Sequence, residues 1–254
     1  MREILSDLVA EEQALDQFLQ RINERQWTLP TSAPGWSIKD TVSHLAYTER
    51  FAAQVLAEGS SAVKAAKIGN IDTWTAIGVK EGRQMRYQQV IEWWRNSRAD
   101  VVDALSRMEG TDRVPWITGD MSARAFGTLR LMETWAHGLD IKDAMEGLLT
   151  YDEEEEDPTD DTSRMRHIAW LAHRMLPHAF SEAGEEFPKG GIRLELMGPR
   201  YARWVYGPED ADDVIKGIAG EWCRIAVQRL DYGHTSLKAE GDSAEAALRI
   251  VRAY

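Results

Sequence analysis

Four stretches of this chain carry apolar residues at helical spacing, and each is long enough for several turns of α-helix. In residues 2–26 the apolar side is Ile4, Leu8, Leu15, Phe18, Leu19 and Ile22. The chain breaks between Leu29-Pro30 and Pro34-Gly35. Ser37 then suits the N-cap of a second helix, which runs to about Glu58 with Ile38, Val42, Leu45 and Ala52 inward. A third spans about 82–108, with Ile91, Trp94, Val101, Leu105 and Met108 on one side. A fourth runs from about Ser122 to Met145 and ends near Gly147. Four amphipathic helices bury their stripes most simply against one another, so the spacing predicts a helix bundle. Between them, Gly110–Asp120 reads as a loop containing Pro115-Trp116. Residues 59–81, rich in Gly, Ser and Ala, read as a loop or short helix.

The pattern changes after the fourth helix. Tyr151–Asp161 holds eight acidic and no basic residues, which reads as a solvated linker. Residues 163–182 are helical in period, with Pro177 kinking or ending the segment. Ile192–Leu196 and Arg203–Tyr206 alternate with period two, as strands do, and Pro199 and Gly207-Pro208 mark turns. A helix at about 218–230, a short strand near Leu237 and a last helix at 243–253 complete the reading. The expected architecture is mainly α: a four-helix bundle over 1–150, an acidic linker over 151–162, and a small α+β domain over 163–254.

Composition narrows the function. The net charge is −12, and the acidic run alone carries eight of those charges. No basic stripe suggests nucleic acid. No run approaches the ~20 apolar residues of a membrane span. The acidic, amphipathic N-terminus is unlike a secretion signal, so a soluble cytoplasmic protein is expected. The single cysteine, Cys223, excludes an intrachain disulfide and a cysteine-based cluster, and it reads as a small core residue. Any metal must therefore be held by histidine and carboxylate.

Two segments meet that need. Glu133, His137 and Asp140 stand at i, i+4 and i+7 in an otherwise apolar helix and so share one face. Asp40 and His44 share a face of the second helix. Glu133 and His137 can bind one divalent ion from a single helix, and His44 is the best candidate for the third ligand. Three protein ligands would leave a position open for water or substrate. Asp40 and Asp140 would then accept the remaining ring N–H groups of the histidines and fix their tautomers. His167, His173 and His178 do not share a face and read as packing or surface residues. His234 falls in a turn.

The pattern W-S-x-x-D-x-x-x-H-L (Trp36–Leu45), followed by E-x-W-x-H-G-x-D (Glu133–Asp140), resembles the DinB-like superfamily. More closely, it resembles the mycothiol-dependent maleylpyruvate isomerase family of actinobacterial proteins. The stretch Met121–Ala144 is similar to an uncharacterised branch of that family. The resemblance implies a four-helix bundle holding a divalent metal, zinc in the isomerase, through His44, Glu133 and His137. It also implies mycothiol as thiol cosubstrate, and a small carboxylate-bearing electrophile as substrate. An arginine of the C-terminal domain would bind that carboxylate: Arg229 is the positional match and Arg224 the alternative. Trp36, Trp116 and Trp135 are candidate walls of the pocket. Two other readings use the same ligands. One is a metal-dependent hydrolase with Asp40 or Asp140 as base. The other is a non-catalytic metal-binding or regulatory module.

Overall fold

The computed structural model describes residues 1–146, 148 and 161–253. The chain divides into two compact units, residues 1–159 and 160–254. The acidic linker expected over 151–162 lies outside the described residues except for its last two positions.

The first unit is helical. Helices α1 (Arg2–Gln20), α2 (Ile38–Glu58), α5 (Tyr87–Ser106) and α6 (Ala123–Met145) are the long members. The 59–81 segment forms two helices, α3 (Ser60–Ala66) and α4 (Ile71–Arg83), where the sequence suggested a loop or one short helix. Asn70 starts α4 by accepting the Thr73 N–H at 2.9 Å, a cap that outweighs the Gly-rich composition. Strands β1 (Arg113–Val114) and β2 (Met121–Ser122) form a small antiparallel ribbon before α6.

Helix α2 packs against α4, α5 and α6, while α1 packs against α5 and α6. The core joins Leu15, Phe18 and Leu19 of α1 to Val42 and Leu45 of α2, Trp94 of α5 and Ile141 of α6. Helix α6 is buried on nearly every side. An all-round buried helix must be mostly apolar, and its polar residues need partners. Four of them, Arg130, Glu133, His137 and Asp140, fall on one stripe. Helix α4 reaches α2 closely because Gly78 and Gly82 face Tyr47 and Ser43, where any Cβ would collide.

In the second unit, α7 (Met165–Ala183) continues past Pro177, so of the kink or end expected there the helix does not end. A four-stranded sheet has the order β4-β3-β5-β6. Strand β3 (Ile192–Met197) buries Ile192, Leu194 and Leu196, and β4 (Arg203–Tyr206) pairs with it antiparallel. The strand β5 (Asp213–Ile218), absent from the sequence reading, runs parallel to β3. Its acidic start and Gly217 hide a short apolar centre. Helix α8 (Ala219–Ala226), β6 (Lys238–Glu240) and α9 (Asp242–Ile250) complete an α+β unit. No helix among the described residues is long and apolar enough to cross a membrane.

Candidate metal centre

The centre is built on two helices. Ser37 and Asp40 form a capping box that starts α2 and sets His44 near two turns in. Ser122 caps α6 by accepting the Ala125 N–H. Across the α2–α6 contact, His44 Nε2 lies 3.6 Å from Glu133 Oε2. On α6 itself, His137 Nε2 lies 3.7 Å from the same oxygen. One ligand atom from each of the three side chains falls within 4.8 Å of the others. Among the described residues this is the one such group of metal-competent side chains.

The protonation states suit a cation. Burial pushes the His44 imidazole down, which keeps it neutral with a lone pair to donate. Burial alone would raise the Glu133 carboxyl. The approach of His44 and the Arg130 charge overcome that and hold it down at about 2. Two imidazoles and one carboxylate are a donor set for a first-row divalent ion. The residues present therefore fit the group.

Asp140 is fully buried, and its Oδ2 accepts from His137 Nδ1 at 2.8 Å. That contact turns Nε2 of His137 toward Glu133 and holds the ring's angle. The other oxygen, Oδ1, accepts the Ser32 hydroxyl at 2.7 Å. Asp40 does something else. Its carboxylate accepts the Ser37 N–H at 3.0 Å and pairs with Arg83 at 2.9 Å, so it serves the helix cap and not the His44 ring. His44 Nδ1 has no hydrogen-bond partner among the described residues. Trp36 lies over both imidazoles, its ring centroid 5.0 Å from His44 and 6.2 Å from His137. Trp116 packs instead on Phe51 and Phe126, and Trp135 is buried in the core.

One turn before the ligands, Arg130 Nη1 meets Glu49 Oε1 at 3.4 Å in a fully buried ion pair between α6 and α2. Burial dominates Glu49 and lifts its carboxyl to about 7, with Arg130 pulling down and Glu133 pushing up. Glu12 of α1, beside it, is also raised by burial and by Glu49. The sequence reading missed Arg130, Glu49 and Ser32. Arg130 stands at i−3 from Glu133, so helical spacing alone could have found it. Ser32 lies in an irregular segment that offers no such signal.

In the second unit, Arg229 Nη1 donates to Val227 O at 2.7 Å, and Arg224 Nη1 pairs with Asp161 at 2.8 Å. His173 Nε2 bonds Ile192 O at 2.8 Å, a packing role. His178 is exposed. Cys223 is fully buried, and burial pushes its thiol far above the ordinary range, so it is inert.

With the geometry in place, comparison with known proteins is informative. The family model for the mycothiol maleylpyruvate isomerase N-terminal domain matches residues 8–142, which contain all three candidate ligands. Two uncharacterized proteins of Mycobacterium tuberculosis, from strains CDC 1551 / Oshkosh and ATCC 25618 / H37Rv, are each 31% identical over 98% of this chain and 94% of their own length. Among solved structures, the mycothiol-dependent maleylpyruvate isomerase superposes with a TM-score of 0.59 at 16% identity, covering 94% of this chain and 92% of its own. A mutant of that enzyme gives 0.57 at 16% identity, covering 90% and 89%. At that identity the structural likeness carries the fold alone: a helical bundle followed by a small α+β domain. The extent of the sequence matches carries more, and the chain belongs to the family of the mycothiol maleylpyruvate isomerase N-terminal domain.

Proposed function

We propose that this chain is a divalent-metal-dependent enzyme that uses a low-molecular-weight thiol of the mycothiol type to isomerise, or transfer to, a small carboxylate-bearing electrophile in the cytoplasm. The observation that carries the reading is the convergence of His44, Glu133 and His137 beneath Trp36, inside the segment that matches the isomerase family.

In this reading the two imidazole Nε2 atoms and the Glu133 carboxylate hold the ion. A bound divalent ion would supply Lewis acidity that lowers the pKa of a thiol into the neutral range. Asp140 keeps His137 turned toward the centre. Trp36 covers one face of both rings and excludes water from it. Arg229, with Arg224 as the alternative, would bind the substrate carboxylate and steady charge developing next to it. The chemistry needs no oxidant. A bound thiolate would supply reversible addition to one carbon of a cis double bond conjugated with a carbonyl, so that the bond could rotate and re-form as trans as the thiolate left.

The test is a thermal-shift titration of purified protein with mycothiol, before and after chelation. The reading expects a thiol-induced rise in Tm that disappears with the metal. A metal-loaded protein that does not respond to thiol would redirect the reading to hydrolysis or regulation.

A further inference from the structure

The segment Pro30–Ser37 is too short to hold a core of its own, yet it is closed and pinned. Pro30 and Ser37 form an antiparallel bridge. Inside it, the Thr31 N–H donates to Trp36 O at 2.8 Å and the Trp36 N–H donates to Ala33 O at 3.1 Å. Pro30 and Pro34 restrict the backbone, and Gly35 takes the positive φ of 77° that the tight return requires. Three contacts then fix this ring onto the metal centre. Ser32 donates to the buried Asp140. Trp36 lies on His44 and His137. Arg83 donates to Gly35 O at 3.1 Å while it pairs with Asp40, whose carboxylate also accepts the Ser37 N–H. Arg83 reaches that point because Gly78 and Gly82 let α4 lie close on α2.

We propose that Ser32 is a positioning residue of the metal centre, acting through Asp140 on His137, and that the 30–37 loop is a clasp whose seating is coupled to the ion. The proposal rests on the reading that His44, Glu133 and His137 hold a divalent metal. The physical argument starts at Asp140. A carboxylate with no solvent exposure must have its oxygens matched by donors, and its orientation follows from where those donors stand. His137 stands at one oxygen and Ser32 at the other, 2.8 and 2.7 Å away, so Ser32 sets the angle at which Asp140 holds the ring. Ser32 itself is exposed, so its substitution leaves no buried cavity. Coupling of this kind is reciprocal: a seated clasp favours the ion, and the ion favours the seated clasp.

The experiment uses the full chain, stripped of metal, as wild type, Ser32→Ala and Ser32→Thr. Zinc affinity is measured by competition with a chromophoric chelator, and the coordination sphere is read from the absorption spectrum of cobalt(II). Ser32→Ala is expected to weaken zinc about 10-fold, the lower end of the range for outer partners of ligating histidines. It should alter the cobalt spectrum and leave the Tm of the metal-free protein unchanged. Ser32→Thr, which keeps the hydroxyl, should restore both. Zinc should slow hydrogen exchange at the Thr31 and Trp36 amides in the wild type, and much less in Ser32→Ala. An affinity within about twofold of wild type and an unchanged spectrum would overturn the proposal, since a residue that positions a ligating histidine through its carboxylate partner must register in both. So would a loss that Ser32→Thr does not rescue, or one matched by a fall in the metal-free Tm. Wild-type protein that binds no zinc would instead overturn the parent reading.

Discussion

Replacing Arg130 with methionine should do more damage than the worth of the ion pair it breaks. Arg130 and Glu49 stand 3.4 Å apart with side-chain exposures of 2% and 1%. At an effective dielectric of about 20, two unit charges at that distance attract by about 5 kcal/mol. Desolvating both ions costs several kcal/mol each, so the intact pair contributes little net stability. The methionine variant keeps the cost of burying Glu49 and loses the attraction, leaving that carboxyl buried beside Glu12. We expect a loss of about 3–5 kcal/mol at pH 8. At pH 5 the loss should shrink, because Glu49, held at about 7, already carries a proton in the folded state. The double variant Arg130→Met/Glu49→Leu removes both charges and should lie within about 2 kcal/mol of wild type. The sign of the pH effect in wild type follows from the same carboxyl. Its folded pKa is raised, so between about 4.5 and 7 the folded state binds a proton that the unfolded chain releases. While His44, pushed down by burial, contributes in the opposite sense below its unfolded pKa, Glu49 alone should lower stability by on the order of 3 kcal/mol as pH rises through that window. Glu12, also raised, adds a contribution of the same sign. Glu49→Gln should flatten the slope. The assay is urea unfolding of the metal-free protein at pH 5 and pH 8. A double variant as unstable as the sum of its single variants would refute the reasoning.

Three further outcomes follow from other contacts. Gly82→Ala gains helix propensity but drives a methyl group into Ser43, so it should destabilise by about 1–3 kcal/mol, and Ser43→Gly should recover most of that loss in thermal unfolding. His173→Ala should lose about 1 kcal/mol through the bond to Ile192 O while leaving metal content unchanged by elemental analysis. Cys223, buried with its thiol raised, should react with a chromogenic disulfide reagent only after the chain is unfolded in denaturant.

Much of this arrangement could be read from the chain, for identifiable reasons. The long helices declared themselves because each repeats a stripe such as Ile38-Val42-Leu45. Glu133, His137 and Asp140 stood out because carboxylates and imidazole are costly inside a buried helix. What was missed depends on contacts distant in sequence. Ser32 meets Asp140 across 108 residues. Spacing puts Asp40 on the same face as His44, yet Arg83, at the end of a helix whose 71–81 part reads as loop or short helix, takes its carboxylate. Strand β5 escaped because its period-two signal is short and acid-flanked, and the parallel pairing with β3 stabilises it. Pro177 stayed inside α7, where tertiary packing of Leu176, Ala179 and Phe180 outweighs one lost backbone bond.

The most direct test of the account is calorimetric titration of zinc into metal-stripped wild type and His137→Ala. The account predicts one tight equivalent in the wild type. In His137→Ala it predicts loss of that binding, with the helical circular-dichroism signal kept. Undiminished zinc binding by His137→Ala, or none by the wild type, would contradict it.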